Sequence, residues 1–110
     1  MWNKPTIKQL AKIPKLYSQD GVKDPKVYMK FFIGPTTWYV TEFDGVDTFY
    51  GLVINDADPE MAEFGYFSFR ELLTLKMGYS EVDRDLHSVT PYSPKKLSFL
   101  KKRHYMEHGL

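Results

Sequence analysis

At 110 residues, with 43% hydrophobic and 16% aromatic side chains, the chain suits one hydrophobic core and is too apolar for disorder to be its main state. It has no cysteine, which excludes disulfides, thiolate metal sites and thiol nucleophiles and fits a reducing cytoplasm. The net charge of +1 conceals a segregation, with +5 on residues 1–30, −8 on residues 31–93 and +4 on residues 94–110. Either the basic ends lie over the acidic centre or the surface is two-faced and steers a charged partner. The N-terminus lacks the apolar core of a signal peptide, and no stretch approaches the roughly 18 to 20 apolar residues of a membrane span. The expectation is a single soluble cytoplasmic domain over residues 1–110, without membrane contact.

Taken in chain order, Pro5 to Tyr17 reads as a short helix whose apolar stripe is Ile7, Leu10, Ala11 and Ile13, ended or kinked by Pro14. Ser18 to Pro25 (SQDGVKDP) is a turn-rich loop, and Val27 to Ile33 is an apolar strand stopped by Gly34-Pro35. Trp38–Phe43 and Thr48–Ile54 then alternate as the arms of a hairpin. Trp38, Val40 and Glu42 share one face of the first arm. Asp44-Gly45 marks the turn, because glycine accepts positive φ and aspartate tolerates it. A two-residue turn sets Glu42 opposite Asp47, a repulsive pair. A four-residue loop from Asp44 to Asp47 sets Phe43 against Thr48 and Glu42 against Phe49, and electrostatics favour it.

Asn55 to Glu60 is an acidic loop and Phe64 to Phe67 a short strand. Ser68 and Glu71 form a capping box, with Phe67 and Leu72 as its staple, for a helix carrying Leu72, Leu73, Leu75 and Met77 and ending at Gly78. Asp83 to Val89 is a last strand. Ser93 and Pro94 open a basic helix over about residues 94–107, with Leu97 and Leu100 on its apolar side. The pattern predicts an α+β fold: an antiparallel sheet of four or five strands with helices packed on one face.

Several groups carry candidate chemistry. Glu42, Asp44 and Asp47 offer oxygens to a hard cation, but the spacing of a calcium loop is missing and turns favour aspartate anyway. Arg84 and Asp85 read as a structural ion pair, with Glu42, Asp47 or Glu63 as further bidentate partners for the guanidinium. His104 and His108 stand four apart, a metal-ligand spacing, with Glu107 beside them. They lack the zinc-protease pattern, so solvent-exposed histidines near a frayed helix end are the preferred account. His87 has no motif partner. No catalytic residue, metal or cofactor is assigned. Lys95, Lys96, Lys101, Lys102 and Arg103 could follow a phosphate backbone, with Tyr105 stacking, although a solvated face is the plainer reading. The density of aromatics over Phe31, Phe32, Trp38, Tyr39, Phe43, Phe49, Tyr50, Phe64, Tyr66 and Phe67 exceeds what a small core usually needs, so part of it is expected at the surface.

KFF at Lys30–Phe32, WYVTEFDG at Trp38–Gly45, DTFYGLV at Asp47–Val53, EFGYFS at Glu63–Ser68 and DRDL at Asp83–Leu86 follow one another in order. Together, over about residues 16–91, they resemble a family of small bacterial and phage proteins carried by plasmids, conjugative elements and prophages, catalogued as a domain of unknown function. Asp83 stands where that family more often has glutamate, and Phe64 where it has leucine. The resemblance implies no catalytic residue. It implies a setting in which small proteins block host defence, where an acidic surface can imitate nucleic acid.

The expected function is a non-enzymatic accessory binding protein of a phage or mobile element, an inhibitor of the anti-CRISPR or anti-restriction type. Its partner would be a host or element-encoded protein such as a nucleic-acid-binding defence complex. The contact is expected through the acidic, aromatic-backed set Glu42, Asp44, Asp47, Asp56, Asp58, Glu60 and Glu63. The alternative is a small nucleic-acid-binding protein using the basic C-terminal helix. A third class is a small enzyme built on Glu42, Asp47, Arg84 and Asp85.

Overall fold

β-Branched and aromatic residues dominate the middle of the chain, and the computed structural model, which describes residues 2–110, folds that middle into a sheet. In chain order the elements are α1 (Ile7–Leu10), β1 (Lys26–Val27), β2 (Met29–Ile33), β3 (Thr36–Phe43), β4 (Thr48–Asn55), a 3-10 turn at Pro59–Met61, β5 (Glu63–Ser68), α2 (Phe69–Thr74), β6 (Lys76–Met77), β7 (Ser80–Glu81), β8 (Asp83–Arg84), β9 (Lys95–Lys96) and α3 (Leu97–His108). Five antiparallel strands in the order β5-β4-β3-β2-β8 make the main sheet, and β1–β9 and β6–β7 are small ribbons. The fold is α+β with an antiparallel sheet, as the pattern predicted.

The helices cover two faces of the sheet, where one was expected. Met29, Phe31, Trp38, Val40 and Phe49 point into a core closed by Trp2, by Leu10 of α1, by Ile13 and by Leu72 of α2. The alternate residues Tyr39, Leu52 and Ile54 point into a second core closed by Val27, Val89, and Leu97 and Leu100 of α3. Strand alternation separates the two sets. β3 is buried at every position after Thr36, as befits a central strand covered on both sides.

Several boundaries shift for local reasons. Thr6 and Gln9 cap α1 reciprocally, with Gln9 N–H donating to Thr6 Oγ1 at 3.1 Å and Thr6 N–H to Gln9 Oε1 at 2.9 Å. That helix stops well before Pro14, and the expected run to Tyr17 is turns instead. Ser68 does cap α2, accepting from Glu71 N–H at 3.2 Å. Leu75 is extended, however, so the expected helical tail is a β6–β7 hairpin turning at Gly78, φ 62°. The predicted strand Asp83–Val89 is only β8, because the Asp85 carboxylate accepts the N–H groups of His87 (2.7 Å) and Ser88 (2.9 Å) and turns the chain away. α3 starts at Leu97 instead of Pro94. Asp24 receives the Ser98 N–H at 2.9 Å and its hydroxyl at 2.6 Å, so a residue distant in sequence supplies the helix start.

Candidate functional site

The β3–β4 hairpin carries the site, and its register differs from both readings of the sequence. Phe43 faces Phe49 and Glu42 faces Tyr50, with a bulge between Val40 and Glu42. At the turn, one Asp44 carboxylate oxygen accepts three backbone N–H groups, from Val46 (2.8 Å), Asp47 (2.8 Å) and Thr48 (3.0 Å). Burial acts to raise the Asp44 pKa, but the three donors outweigh it and hold it below the usual carboxylate range. Phe43 and Phe49 stack at 4.7 Å, a contact that the expected Phe43–Thr48 register would forgo.

The bulge decides the role of Glu42. It moves the side chain from the Trp38–Val40 face, where strict alternation had placed it, to the opposite face with Tyr50. There Glu42 is buried at 4% exposure. Its two oxygens accept Tyr17 N–H at 2.9 Å and Gln19 N–H at 2.7 Å. Gln19 completes the clamp: its amide donates to the carbonyls of Lys26 and Thr41, both at 2.9 Å, and accepts Lys26 N–H at 2.7 Å. The 17–26 loop is thus fastened to the bulged end of β3. The fastening holds Tyr17 at φ 71°, a left-handed conformation unusual for a tyrosine, with the residue 64% exposed.

The Tyr17 ring does not stand alone. Tyr50 stacks on Phe64 at 5.8 Å with 15° between planes, and meets Tyr66 at 5.0 Å. The neighbouring Tyr17 side chain is the first cause that raises the Tyr66 pKa above the ordinary tyrosine value. Phe64 is 44% and Tyr66 57% exposed, on the same side of edge strand β5. Beside the rings lies a hollow of about 200 Å³ lined by Gln19, Lys23, Thr41, Glu42, Tyr50 and Phe64, among others. So the expected aromatic surplus divides. Phe31, Trp38, Tyr39, Phe43 and Phe49 are core, Tyr50 and Phe67 are half-buried, and Phe64 and Tyr66, with the unforeseen Tyr17, form a surface patch. Phe32 is also exposed, on β2.

The acidic set is not one surface. Asp47 accepts the Ser68 hydroxyl and, at 2.8 Å, the Arg70 N–H, so it caps α2; these bonds, Ser68 first, lower its pKa. Asp47 and Asp56 flank β4, and a strand rise of about 3.3 Å per residue puts them roughly 25 to 30 Å apart. Only Asp58, Glu60 and Glu63 stand exposed together, before and at the start of β5.

The basic candidates divide too. Lys95 and Lys96 are in β9, ahead of the helix, and Lys96 lies directly opposite Lys26 of β1. Arg103 pairs with Glu107 at 2.7 Å, Lys101 lies 5.8 Å over the Tyr105 ring, and Lys102 is exposed.

Arg84 meets neither Glu42, Asp47, Glu63 nor Asp85. Strand β8 lies beyond β2 at one edge of the sheet, with Glu63 on the opposite edge strand, and Arg84 is 8% exposed with its Nε donating to the Asn3 carbonyl at 2.9 Å. Asn3 in turn donates to Asp83, so the DRD stretch tethers the N-terminal segment. Asp85 pairs instead with Lys30 at 3.4 Å, both side chains largely buried. The four residues of the enzyme reading are therefore dispersed. Burial acts to raise the Asp85 pKa, but the Ser88 and His87 bonds and Lys30 overcome it and bring it down to about 2. A depressed carboxylate stabilises the fold above its unfolded pKa near 3.8, and loses that contribution as pH falls through 2. Urea unfolding at pH 5 and pH 2 should show a loss of about 2 kcal/mol attributable to this group, missing from Asp85→Asn. An equal acid loss in the variant would remove Asp85 from that role.

The C-terminal histidines depart furthest from expectation. His104 is 1% exposed, not solvated, and lies under Tyr39 with its Nδ1 2.9 Å from the Tyr39 hydroxyl. Its Nε2 is 2.7 Å from Asp56 Oδ1, and His108 Nδ1 bonds to Asp56 Oδ2. Burial first lowers the His104 pKa, against the pull of Asp56. The helical spacing of the two histidines was visible in the sequence; Asp56, 48 residues earlier, was not linked to them by any local signal.

Residues 3–98 match the model of a family described as a protein of unknown function (DUF2958), a span wider than the 16–91 stretch that carries the motifs. No curated protein and no solved structure matches the chain. No helix among the described residues is long and apolar enough to cross a membrane.

Proposed function

We propose that this chain, which belongs to the DUF2958 family, is a non-enzymatic binding module that covers a partner protein with the aromatic patch of β4, β5 and the Tyr17 turn. The observation that carries this reading is the clustering of Tyr17, Tyr50, Phe64 and Tyr66, with the Tyr17 turn fastened by Glu42. Tyrosine offers a large amphipathic contact at low entropy cost, and a ring already held in place needs little further ordering on binding. Asp58, Glu60 and Glu63, exposed before and at the start of β5, add negative charge suited to a basic partner. The class expected from the sequence is kept, while the main contact moves from carboxylates to rings. The motif resemblance and the −8 middle segment support the setting: an accessory protein of a phage or mobile element that occludes a nucleic-acid-binding defence complex of its host.

The test is affinity capture from host lysate with mass spectrometry, followed by Phe64→Ser and Tyr66→Ala. Both side chains are exposed, so the melting temperature should hold. Each loss should weaken binding by about 2 kcal/mol, near 30-fold. A captured partner that the double variant binds equally well would reject the patch.

One observation favours nucleic acid as a second reading. Lys26 and Lys96 are held directly opposite each other, next to Lys95. Like charges in that position repel, and a phosphate would relieve them. Single-stranded DNA binding that falls steeply with salt, and is lost in Lys26→Ser/Lys96→Ser, would support it. No binding at low salt would end it.

A further inference from the structure

We infer that Asp56, His104 and His108 form a three-ligand site for a divalent transition metal, with Zn²⁺ the best match to its donors. The site is separate from the aromatic patch, and two of its residues lie beyond the 3–98 family match, so it does not follow from family membership.

The argument starts from helix geometry. Residues four apart project from the same side of α3, and the ring centroids of His104 and His108 are 4.1 Å apart. The chain leaving β4 then brings Asp56 between them, fixed by its own N–H donating to the Pro35 carbonyl at 2.9 Å. One nitrogen from each imidazole and one carboxylate oxygen all lie within 4.8 Å of one another. Tetrahedral zinc with bonds of about 2.0 to 2.1 Å wants its donors about 3.3 Å apart. The His104 Nε2–Asp56 Oδ1 separation of 2.7 Å needs to open only slightly. Two imidazoles and one carboxylate suit zinc and its neighbours, whereas calcium and magnesium prefer an all-oxygen shell.

A metal-binding imidazole needs its other nitrogen held, and here the holder is present. Tyr39, 1% exposed, places its hydroxyl 2.9 Å from His104 Nδ1. In the metal-free network the Tyr39 O–H donates to Nδ1 and the Nε2–H donates to Asp56. When metal takes Nε2, the imidazole proton resides on Nδ1 and the hydroxyl turns to accept it. A neutral imidazole keeps its proton count through this tautomer change. His104 is buried while the His108 side chain is 34% exposed, so the fourth position faces solvent and takes water or a partner's side chain. Bound metal would rivet α3 to the end of β4.

Zn²⁺ titration of the full chain by calorimetry, and Co²⁺ titration by visible absorption, test this directly. The expected results are one metal per chain, the intense cobalt bands of a tetrahedral site, and a Zn²⁺-dependent rise in melting temperature. Tyr39→Phe should weaken Zn²⁺ binding roughly 10- to 100-fold, and the ligand loss His108→Ala by more. His108 lies at the rim, so His108→Ala should fold, which its metal-free melting temperature checks. His87→Ala, outside the cluster, should leave the affinity unchanged. Absence of Zn²⁺ binding to the wild type at millimolar metal, or equal affinity in wild type and His108→Ala, would overturn the site.

Discussion

Gly51→Ala should destabilise the protein by about 3 kcal/mol or more, the upper end of the range for forcing extra atoms into a packed site. Gly51 lies opposite Val40 at the start of the bulge, where the strands close up. A Cβ built there would sit 1.9 Å from the Tyr39 carbonyl oxygen and 3.1 Å from Val40 Cα. Both are backbone atoms of a central strand, so no side chain can swing aside. Relief would require parting β3 from β4, which disturbs both cores at once. Gly65, its partner on β5, is the control: a Cβ there meets nothing within 4 Å. Gly65→Ala should be neutral or slightly stabilising, since alanine has fewer unfolded conformations to lose. Urea melts of the two variants, side by side, decide the point. Comparable stability would mean that the strands do not approach this closely.

Glu42→Gln should cost about 2 to 3 kcal/mol and loosen the Tyr17 turn. The buried carboxylate accepts one backbone N–H on each oxygen. An amide keeps one acceptor and turns an NH₂ group toward the other donor, leaving two donors facing each other without water. Amide hydrogen exchange at Tyr17 and Gln19 should accelerate toward that of an open loop, while β4 and β5 keep their protection. Affinity for a protein partner should fall as well, because Tyr17 would no longer be held beside Tyr66. Slow exchange at Gln19 in the variant would show that the loop is held by something other than Glu42. A stable, well-protected variant that lost its partner would point to a direct contact by the carboxylate.

The amount legible from sequence differs between elements, for physical reasons. Local rules located the hairpin at Asp44-Gly45 and the cap at Ser68, because a turn or a cap depends on residues only a few positions apart. They failed on register. Electrostatic repulsion between Glu42 and Asp47 was a reasonable guide only while both were exposed at the turn. In the fold Glu42 is buried and Asp47 caps α2, so neither faces the other as a free charge. The Thr41 bulge that shifts the register stacks Phe43 on Phe49, and no motif announces it.

The candidate sites follow the same division. An i, i+4 pair of histidines can be read from spacing, but whether His104 is solvated depends on Tyr39 and Asp56, 65 and 48 residues away. Arg84 was expected to seek a carboxylate, yet the strand order sets it on the edge strand beyond β2, away from Glu42 on central β3 and Glu63 on the opposite edge, and next to the N-terminal segment. By itself the sequence determined the α+β class, the antiparallel hairpin, the α2 start and the family, since all rest on local patterning or motif order. Only the tertiary structure decided which aromatics are exposed, which acids are already bonded, and that helices cover two faces. Those outcomes depend on pairings between distant segments, and a one-residue bulge reverses which side of a strand a residue serves.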